Sequence, residues 1–232
     1  MKKHIPNTLT CCNLISGCIA INFALHGMFV WAFLFIVIGA VFDFFDGMSA
    51  RLLGVSSPIG KELDSLADVV TFGVAPSSMV FALLYSQPYP DALIPVEGYV
   101  PYLAFVMAAF SALRLAKFNL DERQTTSFIG LPTPANALFW ASLIVGSEPL
   151  LVSSFAVTVG IVLMVFVMSW LLIAEIPMFA LKFKTWGWKG NEIKYVFVAG
   201  CIPLFLFLGM SGFAAVIVWY VALSFVANRM AR

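Results

Sequence analysis

Asp43, Asp46, Asp64 and Asp68 are the residues of this 232-residue chain whose type and spacing can do chemistry. They lie in the window DFFDGMSARLLGVSSPIGKELDSLAD, which holds five of the chain's 12 acidic residues. On a helix each residue turns by about 100°, so Asp46 falls at about 300° from Asp43, Gly47 at about 40° and Ala50 at about 340°. Two carboxylates and two small residues thus share one face. On the next apolar segment Gly60, Asp64 and Asp68 follow at four-residue spacing, one above another. Two facing helices therefore present four carboxylates to one gap, and Gly47, Ala50 and Gly60 leave room there for something bulky.

A charge at the bilayer centre costs about 2.5–3.5 kcal/mol on an insertion scale, and four like charges also repel one another. A cation between them resolves both problems. Oxygen-only ligation, with no His or Cys beside it, points to Mg²⁺ or Mn²⁺. Four carboxylates are enough to hold two such ions about 3.5–4 Å apart, the arrangement that clamps a phosphoryl group and its leaving oxygen. Arg51, at the end of the same helix, has the fork that binds phosphate bidentately. Two other readings stay open at this point: acids that cap helix ends and pair with Arg51 and Lys61, and the ion site of a cation transporter.

The elements that carry these residues are set by composition. The chain is 62% hydrophobic and 11% charged, against about 45–50% and about 25% in soluble domains. This is the signature of an integral membrane protein. A net charge of +1 gives no field suited to nucleic acid. The four cysteines, Cys11, Cys12, Cys18 and Cys201, form no C-x-x-C pair and sit in or beside apolar stretches, as packing thiols do. A spanning helix needs about 17–25 apolar residues, and eight segments qualify, near 8–26, 28–50, 62–86, 99–118, 130–147, 151–176, 193–209 and 212–229. The first follows MKKH and reads as a retained helix rather than a cleaved leader. Turn chemistry marks the breaks at HG (26–27), GVSSPIG (54–60), 86–101 and 182–194. The expected fold is all-α, a polytopic bundle of about eight transmembrane helices forming a single integral-membrane domain over 1–232, with catalytic helices in 1–135 and additional membrane helices in 136–232. Ser16 and Ala20 show the small-residue spacing that lets helices approach closely.

Charge placement gives an orientation. Cytoplasmic loops gather Lys and Arg, and with eight crossings and an internal N-terminus all 13 basic residues fall on that side: Lys2, Lys3, Arg51, Lys61, Arg114, Lys117, Arg123, Lys182, Lys184, Lys189, Lys194, Arg229 and Arg232. The opposite loops carry Asp91, Glu97 and Glu148. Both termini and the acidic window are then expected at the cytoplasmic face of the cell membrane.

The run Asp43-x-x-Asp46-Gly47-x-x-Ala50-Arg51, eight residues, Gly60, three residues, Asp64, three residues, Asp68 resembles the signature of the CDP-alcohol phosphotransferase family at every fixed position. The resemblance implies a membrane enzyme that transfers a phosphatidyl or related group from a CDP-linked donor to an alcohol, releasing CMP. It implies that Asp43, Asp46, Asp64 and Asp68 hold two divalent ions, Mg²⁺ or Mn²⁺, with Asp68 also the general base. Gly47, Ala50 and Gly60 would admit the nucleotide, and Arg51 would sit near its phosphates.

Three further stretches, IPNTLTCCN (5–13), KELDSLADVVTFGVAPS (61–77) and LRLAKFN with FIGLPTPA (113–119, 128–135), resemble the phosphatidylserine synthase branch. That branch implies CDP-diacylglycerol and L-serine as substrates, surrounding membrane lipids, a homodimer and no nucleic acid; glycerol phosphate and inositol phosphate remain alternative acceptors. Serine needs a fixed cation, and Arg114, interrupting an apolar helix, either takes its carboxylate with a planar fork or anchors that helix at the interface. Lys117 either shares that face or snorkels to headgroups. Asn7 and Thr10 contact the nucleotide or make cap and interfacial hydrogen bonds. His4 and His26 are isolated, Trp186 and Trp188 read as interface anchors, and Glu175 has no assigned role.

Overall fold

A computed structural model describes residues 4–55, 57–121, 128–179, 187–188 and 190–230. Lys2, Lys3, Arg123, Lys182, Lys184, Trp186, Lys189 and Arg232 lie outside these residues, so much of the charge pattern does too. The described chain forms eight long helices: α1 His4–Leu25, α2 Phe29–Leu53, α3 Pro58–Tyr85, α4 Val100–Leu120, α5 Thr133–Leu151, α6 Phe155–Ile173, α7 Glu192–Leu208 and α8 Gly212–Met230. Short turns at Asp91–Leu93 and Ile94–Glu97 bridge α3 and α4. A two-residue ladder, β1 Phe128–Ile129 against β2 Pro177–Met178, is antiparallel.

Among the described residues six stretches are long and apolar enough to cross a membrane: α1, α2, α3, α4, α6 and the combined 192–229. At about 1.5 Å per residue the last would be nearly twice as long as a hydrocarbon core of about 30 Å. It folds back on itself instead. The Phe205 and Phe213 rings stand 4.8 Å apart and Phe197 and Tyr220 5.9 Å, so α7 and α8 run antiparallel. The break sits at Gly209, whose φ of +53° suits glycine. Helix α5 is equally long but more polar, with Thr133, Asn136 and Ser142 fully buried.

The acidic window lies across the α2–α3 turn. Gly54 ends α2 in the left-handed conformation, at φ 61°, with its N–H on the Ala50 and Arg51 carbonyls. Ser57 then caps α3 by accepting from the Gly60 N–H at 3.0 Å, and Pro58 occupies the first turn, where its missing N–H costs nothing.

Close packing of α1, α2 and α3 sets the depth of the site. The crossing point is Thr71, whose hydroxyl donates to the Asn13 carbonyl at 3.0 Å. A Cβ on Gly17 would meet Thr71 Cα at 2.8 Å, and one on Gly39 would meet Thr71 Cγ2 at 2.6 Å. These glycines let three backbones meet. Ser16 and Ala20 are buried on α1 beside them.

Helix α3 is not uniform. Val69–Val74 is wound as π-helix, beginning one residue after Asp68. Such segments cluster at functional sites because the extra residue re-aims the side chains on either flank. Helix α6 ends at Ile173 and α5 begins at Thr133, a shift of about three residues from the sequence expectation at each. The displaced residues make non-helical bonds: the Gly130 N–H donates to the Ile176 carbonyl and the Leu131 N–H to the Leu171 carbonyl, both at 2.9 Å.

Candidate active site

Asp43 on α2 and Asp64 and Asp68 on α3 each offer a carboxylate oxygen, and these oxygens all lie within 4.8 Å of one another. Asp43 is within hydrogen-bonding range of both Asp64 and Asp68. Like charges at that range must share a proton or a cation. Hard oxygen donors in such a trio fit a divalent ion of the Mg²⁺ or Mn²⁺ type, and no His or Cys joins the group.

Asp46 stands apart from the trio. Its Oδ2 accepts from the Thr10 hydroxyl at 2.6 Å, and it is 6% exposed. The same side chain is in electrostatic reach of Asp64, so it borders the trio while its nearest partner is on α1. Asn13, one turn further along α1, donates from Nδ2 to Asp68 Oδ1 at 3.2 Å; its own Oδ1 is buried without a hydrogen-bond partner. Helix α1 therefore orients two of the four aspartates, through Thr10 and Asn13. The sequence reading placed Thr10 near the donor and gave Asn13 no role; the signal available was a single polar residue facing a carboxylate across an apolar crossing.

Beside the trio opens a cavity of about 280 Å³, lined by Pro6, Asn7, Thr10, Asp46, Gly47, Ala50, Val55, Ser57, Gly60, Lys61 and Asp64. The structure thus brings together Asn7, Thr10, Gly47, Ala50 and Gly60 as the sequence expected. A Cβ added to Gly47 would find only Arg51 Nη1, at 3.6 Å, so packing leaves that position open to the cavity. Gly60 is tighter: its Cβ would lie 3.0 Å from Ser57 Oγ and 3.2 Å from Asn7 Oδ1. Arg51 is exposed beside Gly47 and is not among the lining residues. Lys61 Nζ donates to the Asn119 carbonyl at 2.8 Å and Asn119 Nδ2 to Ser65 Oγ at 2.8 Å, a latch that ties the end of α4 to α3.

Arg114 and Lys117 lie elsewhere, on the wall of a second, smaller pocket with Phe118, Asp121, Ile129, Leu172, Ile173 and Glu175. Arg114 is 7% exposed, its Nε has no hydrogen-bond partner among the described residues, and its guanidinium carbon stands 5.5 Å from the Phe118 ring centre. Asp68 is within electrostatic reach of Arg114. Glu175, given no role from sequence, shares the pocket with Arg114.

The sequence model of the CDP-alcohol phosphatidyltransferase family matches residues 3–173. The chain is similar to a CDP-diacylglycerol–serine O-phosphatidyltransferase of Bacillus subtilis (strain 168), 41% identical over 133 residues, or 57% of this chain and 70% of that protein. It is similar to the enzyme of the same name from Mycobacterium leprae (strain TN), 37% identical over 141 residues, covering 58% of this chain and 44% of the relative. The Saccharomyces cerevisiae protein of that name is 37% identical over 147 residues, covering 56% and 50%. The chain therefore spans about half the length of the mycobacterial and yeast relatives and more of the Bacillus one.

Proposed function

The chain belongs to the CDP-alcohol phosphatidyltransferase family, and from that membership we propose that it is a CDP-diacylglycerol–serine O-phosphatidyltransferase. It transfers the phosphatidyl group of CDP-diacylglycerol to the hydroxyl of L-serine and releases CMP. The observation that carries this reading is the juxtaposition of the Asp43, Asp64 and Asp68 trio with a cavity left open at Gly47. An ion site alone would not need that space. The serine assignment draws on the names of the Bacillus, Mycobacterium and yeast relatives.

Asp43, Asp64 and Asp68 would hold the divalent metal, two ions of Mg²⁺ or Mn²⁺ with Asp46 as the further ligand. Bound there, the metal would neutralise the donor's pyrophosphate and make its phosphorus more electrophilic. The nucleotide occupies the cavity against Gly47, Ala50 and Gly60, with Asn7 and Thr10 also lining it and Arg51 near the phosphates. Asp68, hydrogen-bonded by the Asn13 amide, accepts the proton of the serine hydroxyl as that oxygen bonds to the diacylglycerol-bearing phosphorus. The bond from that phosphorus to the bridging oxygen breaks, and the electron pair leaves with CMP. Arg114 takes the serine carboxylate, with Lys117 at the rim.

All eight long helices cross the membrane in this reading. The basic residues then place both termini and the α2–α3 turn at the cytoplasmic face, where CDP-linked donors and free serine meet. Homodimeric assembly, implied by the family resemblance, belongs to the same proposal.

Incorporation of labelled serine into lipid tests the acceptor. Purified protein given CDP-diacylglycerol should make a serine-containing phospholipid, and excess glycerol 3-phosphate or inositol 1-phosphate should not compete. Transfer to either of those alcohols in preference to serine would move the chain to another branch of the family.

A further inference from the structure

We infer that the pocket between α4 and the end of α6 is a zwitterion filter, in which Glu175 takes the amino group of the incoming serine while Arg114 takes its carboxylate. This rests on the serine-transfer reading and adds a specificity residue to it. The pocket has a volume of about 40 Å³ and sets Arg114 and Lys117 on one wall against Glu175 on the other, with Asp121 at the end of α4. That charge distribution suits a ligand bearing both signs.

Arg114 is the inner pole. Arg114, 7% exposed and with an Nε that has no hydrogen-bond partner among the described residues, has given up water without using all its donors. An arriving carboxylate supplies the missing acceptor in the fork geometry that arginine favours. Arg114 also lies within electrostatic reach of Asp68. An acceptor anchored on it lies within that same electrostatic reach of the proposed base.

Glu175 is the outer pole, exposed at the pocket mouth. Backbone hydrogen bonds on either side of it fix its place in the chain. The Gly130 N–H reaches the Ile176 carbonyl and the Leu131 N–H the Leu171 carbonyl, both at 2.9 Å, while Ile129 pairs with Pro177. Gly130 has a φ of +75°, and a Cβ there would meet the Leu172 and Ala174 carbonyls at 2.6 and 3.1 Å. The crossing of these two segments holds Glu175 across the pocket from Arg114.

In serine the ammonium and carboxylate share one carbon, and the hydroxyl is one carbon further on. Fixing both charged groups on opposite walls leaves the hydroxyl a single arc to sweep. A phosphorylated alcohol would bring extra negative charge against Asp121 and Glu175 and would crowd a small pocket. Glu175 lies two residues beyond the segment that matches the family, residues 3–173, so the filter adds to shared donor machinery a part that lies outside it.

The test is steady-state kinetics on the full-length protein in detergent, with glycerate as a competitive inhibitor that keeps the serine skeleton and carboxylate but lacks the ammonium. Glu175→Gln should raise the KM for serine roughly tenfold, the order expected for losing a hydrogen bond to a charged group, while the glycerate Ki and the donor KM stay put. Glu175→Asp should recover part of the loss. A residue that only supports the fold would shift serine KM and glycerate Ki together, and that result would overturn the assignment. So would an unchanged serine KM in Glu175→Gln, or a loss of serine selectivity confined to Asp121→Asn. No serine-dependent CMP release from the wild type would overturn the transfer reading itself, and this inference with it.

Discussion

The proposed donor cavity draws its walls from α1, α2 and the first turns of α3, between Pro6 and Asp64, whereas the proposed acceptor pocket draws on Arg114, Ile129 and Glu175 from three separate segments. The cavity is the larger, about 280 Å³ against about 40 Å³, and is lined by small residues and carboxylates. The pocket is walled by long charged side chains. A nucleotide pyrophosphate needs metal ligands and space, which helix-periodic Asp and Gly provide locally. A small zwitterion needs two opposite charges on facing walls, which only tertiary structure can supply. Asp68 sits between the two sites, bonded to α1 through Asn13 and in reach of Arg114.

The largest effect should come from that shared residue. Asp68→Asn keeps the shape but removes the proton acceptor, and turnover should fall by about 10²–10⁴, the usual range for loss of a general base. Donor binding, measured by equilibrium dialysis with a CDP-diacylglycerol analogue, should persist. Turnover near wild type in this variant would remove Asp68 as base.

Arg114→Gln should separate the two sites from the acceptor side. The KM for serine should rise about 10–150-fold, as for a lost charge-assisted hydrogen bond, with the donor KM unmoved. A rise in donor KM of the same size would mean that the two sites are one. Gly47→Leu should do the reverse, raising the donor KM roughly tenfold through crowding and sparing serine. Helix propensity favours Leu over Gly by nearly 1 kcal/mol, and a Cβ at Gly47 meets only Arg51. Thermal melting should therefore be unchanged or higher, and an unaltered donor KM would contradict the nucleotide path.

The difference between the two sites also explains what could be read in advance. Asp43, Asp64, Asp68, Gly47, Ala50 and Gly60 were legible because helical periodicity alone puts them on facing surfaces, and Gly54 and Ser57-Pro58 announce the turn between them. Asp46 shares that helical face too, but its bond to the Thr10 hydroxyl, a partner 36 residues away, is one that no local pattern signals. The π-wound segment after Asp68 was hidden for a similar reason: it lies where Thr71 meets Gly17 and Gly39, a tertiary contact, and Val-Val-Thr-Phe-Gly-Val reads as ordinary apolar helix. Glu175 looked like a helix-end residue because the run through 176 appeared continuous. Its helix ends at Ile173, where the chain turns to pair with 128–131.

The central claim is that the aspartate trio and the cavity beside it perform metal-dependent transfer of a phosphatidyl group to serine. CMP release by the purified protein with CDP-diacylglycerol, with and without L-serine, tests it most directly when EDTA treatment and Mn²⁺ or Mg²⁺ add-back are included. The account predicts release that needs serine, stops with EDTA and returns with metal. Serine-dependent release that continues unchanged after complete metal removal would contradict it.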